Sequence, residues 1–186
     1  MGDWEISRAL FDAGCARNFV EMRVGIALGS NLGDRLANLR AARQAIVDLI
    51  GAKSQLISPV YETEPVNCEE GAGRFLNAVI ETEYDGDPTE LLEELIRVEE
   101  SLGRDRDHAQ NVSRKIDIDL LYAEDLNVQN ERLQLPHPRL HLRKFVLQPL
   151  ANIRPDLILP NQTKAVSELL AQAKDSTKVT CFSEKW

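Results

Sequence analysis

Residues 114–122, Arg-Lys-Ile-Asp-Ile-Asp-Leu-Leu-Tyr, place acidic and apolar side chains in alternation. A period of two belongs to a β-strand with one face against a core. Ile116, Ile118 and Leu120 take the core face, and Asp117 and Asp119 share the opposite one. Strand rise puts the two aspartates about 7 Å apart. Like charges this close oppose each other's ionisation, and burial sharpens the conflict. Two readings follow. In one, an edge strand turns both aspartates to water. In the other, they hold a divalent cation. Oxygen ligands with no His or Cys beside them suit Mg²⁺, which is typically held by one or two carboxylates plus substrate phosphates.

The elements before this strand set its place in a fold. Val24–Leu28 is a short apolar strand, followed by the turn Gly29-Ser30-Asn31-Leu32-Gly33. A helix comes next, with Asp34 or Asn31 near its N-cap and Leu36, Leu39, Ile46 and Leu49/Ile50 along one side; Gly51 stops it. Residues 54–61 read as a second strand, which Pro59 restricts to an edge or a bulge. A loop at 63–73 leads to a long third strand, Phe75–Tyr84. Asp87, Pro88 and Glu90 mark the next helix start as cap, N1 proline and capping-box partner. Its apolar stripe is Leu91, Leu95, Val98 and Leu102, with Gly103 as the stop. The charged loop 104–113 then enters the Asp-x-Asp strand.

The order β-α-β-β-α-β predicts an α+β, ferredoxin-like antiparallel sheet with two helices on one face. A hairpin at 127–135, short helices near 146–153 and 165–174, and a strand at 179–182 extend that core. Residues 22–186 read as a single catalytic domain. Residues 1–21 form an N-terminal extension; Met22 offers an alternative start, and Ile6, Leu10 and Phe11 could dock as a short helix.

The net charge of −8 disfavours non-specific nucleic-acid binding and polybasic membrane association. No apolar run approaches membrane-spanning length. Cys15, Cys68 and Cys181 are odd in number and far apart, which supports neither a disulfide framework nor a zinc site. A cytoplasmic protein with reduced thiols is expected.

Against the acidic total, basic residues gather around the aspartates: Arg104, Arg106, Arg114 and Lys115 before them, and Arg139, Arg143 and Lys144 after. Guanidinium forks suit phosphate oxygens. A carboxylate pair flanked by arginines is the equipment of phosphoryl transfer, where catalysis is mostly positioning and charge neutralisation. His137 and His141 lack a third zinc ligand, so a histidine donating to phosphate fits the arginines better. The Gly29-Ser30-Asn31 turn is no P-loop, because Gly-Lys-Ser/Thr is absent. Phe75 and Asn77 share a strand face; an amide and an aromatic ring there suit a planar heterocycle, though spacing alone equally describes a core Phe beside a strand Asn.

Several motifs in order resemble the 6-hydroxymethyl-7,8-dihydropterin pyrophosphokinase family. They are Ala27-Leu28-Gly29-Ser30-Asn31-Leu32-Gly33, Tyr61-Glu62-Thr63-Glu64-Pro65, Phe75-Leu76-Asn77-Ala78, Glu99 with Gly103-Arg104, Arg114-Lys115-Ile116-Asp117-Ile118-Asp119-Leu120, Pro136-His137-Pro138-Arg139-Leu140, and Arg143-Lys144-Phe145-Val146-Leu147. The likeness runs from about Val24 to Leu159. It implies transfer of pyrophosphate from ATP to the pterin hydroxymethyl group, with release of AMP, in folate biosynthesis. It implies two Mg²⁺ held by Asp117 and Asp119, and charge neutralisation by Arg104 and Arg114. It assigns Glu99, Arg106, His137 and Arg143 to the nucleotide, and Phe75, Phe145, Asn77, Thr63 and Val66 to the pterin. The expected partners are these small molecules alone, bound by a monomer, with no nucleic acid and no membrane. One motif departs: many members carry Arg-Trp-Gly-Pro where this chain has Gln110-Asn111-Val112-Ser113. A mobile lid and a slower chemical step are expected from that change.

Overall fold

The computed structural model describes residues 21–51, 53–65, 71–103 and 113–186. Strand β1 (Met22–Ser30) runs to helix α1 (Arg35–Ile50), then β2 (Gln55–Ile57), β3 (Val60–Thr63) and β4 (Phe75–Tyr84). Helix α2 (Pro88–Ser101) and β5 (Asp117–Ala123) complete the ferredoxin-like unit. The sheet order β5-β1-β4-β3 has β1 in its interior, antiparallel to both β4 and β5. The expected second strand is split at Ser58-Pro59 into β2 and β3, both paired with β4. Ser58 repairs the break: its N–H donates to the Val79 carbonyl, and its Oγ accepts from the Val79 N–H at 2.9 Å.

Alternation along the strands divides the side chains between two faces. Val24, Ile26 and Leu28 of β1, Leu76, Ala78 and Ile80 of β4, and Ile118 and Leu120 of β5 meet Leu39, Ala42 and Ile46 of α1 and Leu91 and Leu95 of α2. Asp34 caps α1 by accepting from the Ala37 N–H at 3.0 Å, and Asp87 caps α2 by accepting from Thr89 N–H at 2.7 Å.

The C-terminal segment covers the other face. After the hairpin β6 (Val128–Gln129)/β7 (Gln134–Leu135) and a 3₁₀ turn at Leu140–Leu142 come α3 (Lys144–Ile153), α4 (Val166–Gln172) and β8 (Val179–Ser183). Val146, Leu147 and Leu150 of α3 and Val166 of α4 pack with Val79, Leu121 and Tyr122. Strand β8 joins the main sheet beyond β3. A bulge opposite Gly25/Ile26 lets Leu121 and Tyr122 both turn to this face. The Tyr122 ring then lies where a Cβ on Gly25 would be, 2.2 Å from Cε1, so glycine is required there. Tyr122 Oη donates to Glu81 at 2.6 Å, and Arg154 from the end of α3 donates to the other carboxylate oxygen at 2.8 Å. Burial and the adjacent Glu81 push the Tyr122 hydroxyl pKa up, so it stays a donor. Among the described residues no helix is long and apolar enough to cross a membrane.

Candidate functional site

Two rows of residues cross the adjacent strands β5, β1 and β4 on the face that carries α3. Gly29 of β1 is opposite both Asn77 of β4 and Asp117 of β5. Ala27, one row on, is opposite Val79 and Asp119. Cross-strand partners project to the same side. The middle strand therefore contributes a hydrogen and a methyl group between an amide wall and a carboxylate wall. A Cβ on Gly29 would stand 3.4 Å from Asn77 Oδ1 and 3.7 Å from Asp117 Cβ. The result is a shallow, solvent-open trough lined by Ala27, Gly29, Asn77, Asp117, Asp119 and Phe145 among others. Two strand spacings separate Asn77 from Asp117, which is about 10 Å.

The carboxylate wall is reachable from water: the side chains of Asp117 and Asp119 are 26% and 37% exposed. Arg114 Nη1 lies 2.6 Å from Asp117 Oδ1, and Arg143 Nη1 lies 3.7 Å from Asp119 Oδ2. Arg143 also stacks over Phe145, 5.5 Å from the ring centre. Burial, and then the neighbouring Arg139, lower the Arg143 pKa, while Asp119 and Asp117 act against them. A cation in that position gains from an incoming anion.

His137 is held at the same end by its N–H, which donates to the Leu121 carbonyl at 2.7 Å. Burial, then Arg143 and Arg139, depress its pKa to about 4, so the imidazole is neutral at pH 7. Its Nδ1 accepts from the Arg139 N–H at 3.3 Å, leaving the ring proton on Nε2 as a donor.

The amide wall is equally fixed. Asn77 Nδ2 donates to Thr63 Oγ1 at 2.9 Å, and both residues are buried. That bond orients the carboxamide and leaves Oδ1 toward Gly29. Phe75 is half-buried at the start of β4, opposite Thr63. Below it, Arg35 bridges Glu62 at 2.9 Å and the Arg74 carbonyl at 2.8 Å, tying α1 to both ends of the 64–74 connection.

A family model described as 7,8-dihydro-6-hydroxymethylpterin-pyrophosphokinase matches residues 25–155. A Haemophilus influenzae 2-amino-4-hydroxy-6-hydroxymethyldihydropteridine pyrophosphokinase is 38% identical over 150 residues, 81% of this chain and 92% of its own. The Bacillus subtilis protein of the same name is 41% identical over 128 residues, 69% of this chain and 75% of its own.

This chain belongs to the pterin pyrophosphokinase family.

The fold agrees. A crystal structure of an HPPK-DHPS protein in complex with substrates superposes with a TM-score of 0.66 over 81% of this chain, at 13% identity. This chain spans only 43% of that longer chain.

Of the residues expected in a pyrophosphokinase site, Asp117, Asp119, Asn77 and Phe145 line one trough, with Arg114 and Arg143 against the aspartates and Thr63 behind Asn77. Glu99 is 3% exposed, and its carboxylate accepts from the Ile118 N–H. It therefore braces the strand between the two aspartates and shields an edge-strand donor. Val66, Arg104, Arg106 and the Gln110–Val112 part of the altered loop lie outside the described residues. Sequence reading passed over Gly29 and Ala27 as trough floor, and treated Asn31 only as a turn residue or cap. The signal was present in the small residues of the strand immediately before the turn.

Proposed function

We propose that this chain transfers pyrophosphate from ATP to the hydroxymethyl oxygen of 6-hydroxymethyl-7,8-dihydropterin in folate biosynthesis, giving the pterin diphosphate and AMP. The single observation that carries this is the row Asn77–Gly29–Asp117. It puts a buried amide and a carboxylate on one sheet face across a floor with no side chain, and Asp119 follows one row on.

The donor set fits Mg²⁺. Asp117 and Asp119 offer hard oxygens one row apart, and no third carboxylate, His or Cys joins them among the described residues. Remaining positions on a cation would fall to water and phosphate oxygens, as Mg²⁺ prefers. Two ions bound by Asp117 and Asp119 would neutralise polyphosphate charge and align its oxygens.

The rest follows from the protein's own side chains. Asn77, fixed by Thr63, pairs with the pterin edge, and Phe75 and Phe145 hold its ring. The hydroxymethyl group then points along Gly29, the one place on the floor without a side chain. Its oxygen bonds to the β-phosphorus of ATP as the bond from that phosphorus to the α-bridging oxygen breaks. The hydroxyl proton passes to water, and AMP carries away the bridging oxygen as part of its phosphate. Arg114 and Arg104 neutralise the transferred group, while His137 Nε2–H and Arg143 donate to nucleotide phosphate oxygens and Arg106 joins at the nucleotide. Glu99 acts at the nucleotide side by holding β5 in place. All these residues belong to one chain, which supports action as a monomer, in the cytoplasm where ATP and reduced thiols are available.

Titration calorimetry tests the arrangement. A non-hydrolysable ATP analogue should bind only with Mg²⁺, and the pterin should bind the nucleotide-loaded protein. Tight, Mg²⁺-independent nucleotide binding with no pterin binding would contradict the proposal.

A further inference from the structure

The Asn31 carboxamide lies between the two halves of the site and is 5% exposed. Capping of α1 is done by Asp34, so Asn31 is available for another task. Its Oδ1 accepts from the Arg114 N–H at 2.7 Å, while its own N–H donates to the Arg114 carbonyl at 3.2 Å. Its Nδ2 donates to Ser113 Oγ at 3.0 Å and to the Gly73 carbonyl at 3.4 Å. Gly73 is pressed close as well: a Cβ there would stand 3.2 Å from the Asn31 carbonyl oxygen. One side chain thus gathers the end of β1, the residue that carries the phosphate-side guanidinium, and the turn that leads into Phe75 and Asn77.

We propose that Asn31 is a positioning residue, with Ser113 as its second anchor, that sets Arg114 against the Gly73 turn and so fixes the separation of the phosphate-side and pterin-side halves of the site. The inference rests on the pyrophosphokinase function proposed above. An in-line transfer between two bound substrates needs such a setting, because a misplacement of about 1 Å can cost on the order of 100-fold in rate. Ser113, immediately before the arginine, anchors the chain there through its hydroxyl, which accepts from Asn31.

Three variants separate the contacts. Asn31→Asp keeps an acceptor for the Arg114 N–H and can accept from the Ser113 hydroxyl, but cannot donate to the Gly73 carbonyl. Ser113→Ala removes the loop-side anchor and leaves the Asn31 carboxamide in place. Asn31→Ala removes all three side-chain contacts. Each is measured for kcat, for KM with pterin and with ATP, for active-site concentration by single-turnover burst, and for melting temperature. Asn31→Asp should raise the pterin KM about fivefold and lower kcat about tenfold, because the Gly73 turn is no longer tied to Arg114. Ser113→Ala should lower kcat about threefold to tenfold with both KM values little changed. Asn31→Ala should show both effects, with kcat down about 10–100-fold.

A merely structural role would lower melting temperature and active fraction while leaving kcat per active site and both KM values as in the wild type. That result in Asn31→Asp and Ser113→Ala overturns the proposal even if Asn31→Ala does not fold. A wild-type chain without turnover would fall on the proposed function and carry this inference with it. Wild-type turnover with unchanged variants would fall on the inference alone.

Discussion

The guanidinium of Arg114 lies 2.6 Å from the carboxylate of Asp117. Both side chains are about one-quarter exposed, so water screens the pair and it contributes little to stability. In the proposed mechanism the pair keeps a cation and an anion in reach of substrate: phosphate oxygens would compete for Arg114, and a hard cation would compete for Asp117. Asp117→Asn and Asp119→Asn should each lower turnover by at least about 100-fold, with melting temperature close to wild type. Full rates in both variants at ordinary Mg²⁺ concentration would remove the aspartates from the mechanism.

Asn77 makes a different kind of contribution. Its carboxamide is buried, and Thr63 occupies one of its donors. Asn77→Ala should weaken pterin binding by about 1–3 kcal/mol, because ring donors and acceptors lose a partner already desolvated. The affinity for an ATP analogue should hardly move. Calorimetry that shows equal losses for both ligands would place Asn77 elsewhere than on the pterin.

His137 supplies a pH dependence with a definite sign. Its folded pKa of about 4 lies below the unfolded value near 6.5, so the unfolded chain binds more protons between those limits. The stability linked to the neutral ring is complete above about pH 6.5 and is lost as pH falls toward 4. Denaturant unfolding at pH 7.5 and pH 5 should show a larger loss for wild type than for His137→Gln. Equal losses would mean that the ring is not held neutral by burial and Arg143.

The Asp-x-Asp strand and the βαββαβ order were legible because period two, the Pro88 cap region and the glycine stops are local signals. The break at Ser58-Pro59 followed from proline's missing donor. The placement of α3 and α4 over the second sheet face was not foreseen. It depends on Gly25, Ala27 and Gly29 leaving room on one side of β1, and on a bulge that turns Tyr122 across Gly25. Helix α3 also begins at Lys144, two residues before the expected start, where Asp175 accepts from its N–H at 3.0 Å. The Asn31 contacts could not be read from a turn motif, since Gly73, Ser113 and Arg114 are 42 to 83 residues away.

The altered loop carries its own prediction, although residues 104–112 lie outside the described part of the structure. Gln110 is neutral and Asn111 has no ring to cover the trough, where the motif resemblance leads one to expect Arg-Trp. Stabilisation of charge on the transferred group is strongest when donors are in place and water is excluded. Gln110→Arg with Asn111→Trp should raise the single-turnover rate more than it tightens pterin binding. An unchanged rate in a folded double variant would indicate that Arg106 or His108 already fills that role.

The central claim is that two phosphoryl groups move together onto the pterin. Incubating the protein with ATP, Mg²⁺ and 6-hydroxymethyl-7,8-dihydropterin, and following the mixture by phosphorus NMR and mass spectrometry, tests it most directly. The account predicts AMP and a pterin diphosphate in equal amounts, with no product when the pterin is omitted. ADP with a pterin monophosphate, or no pterin-dependent consumption of ATP, would contradict it.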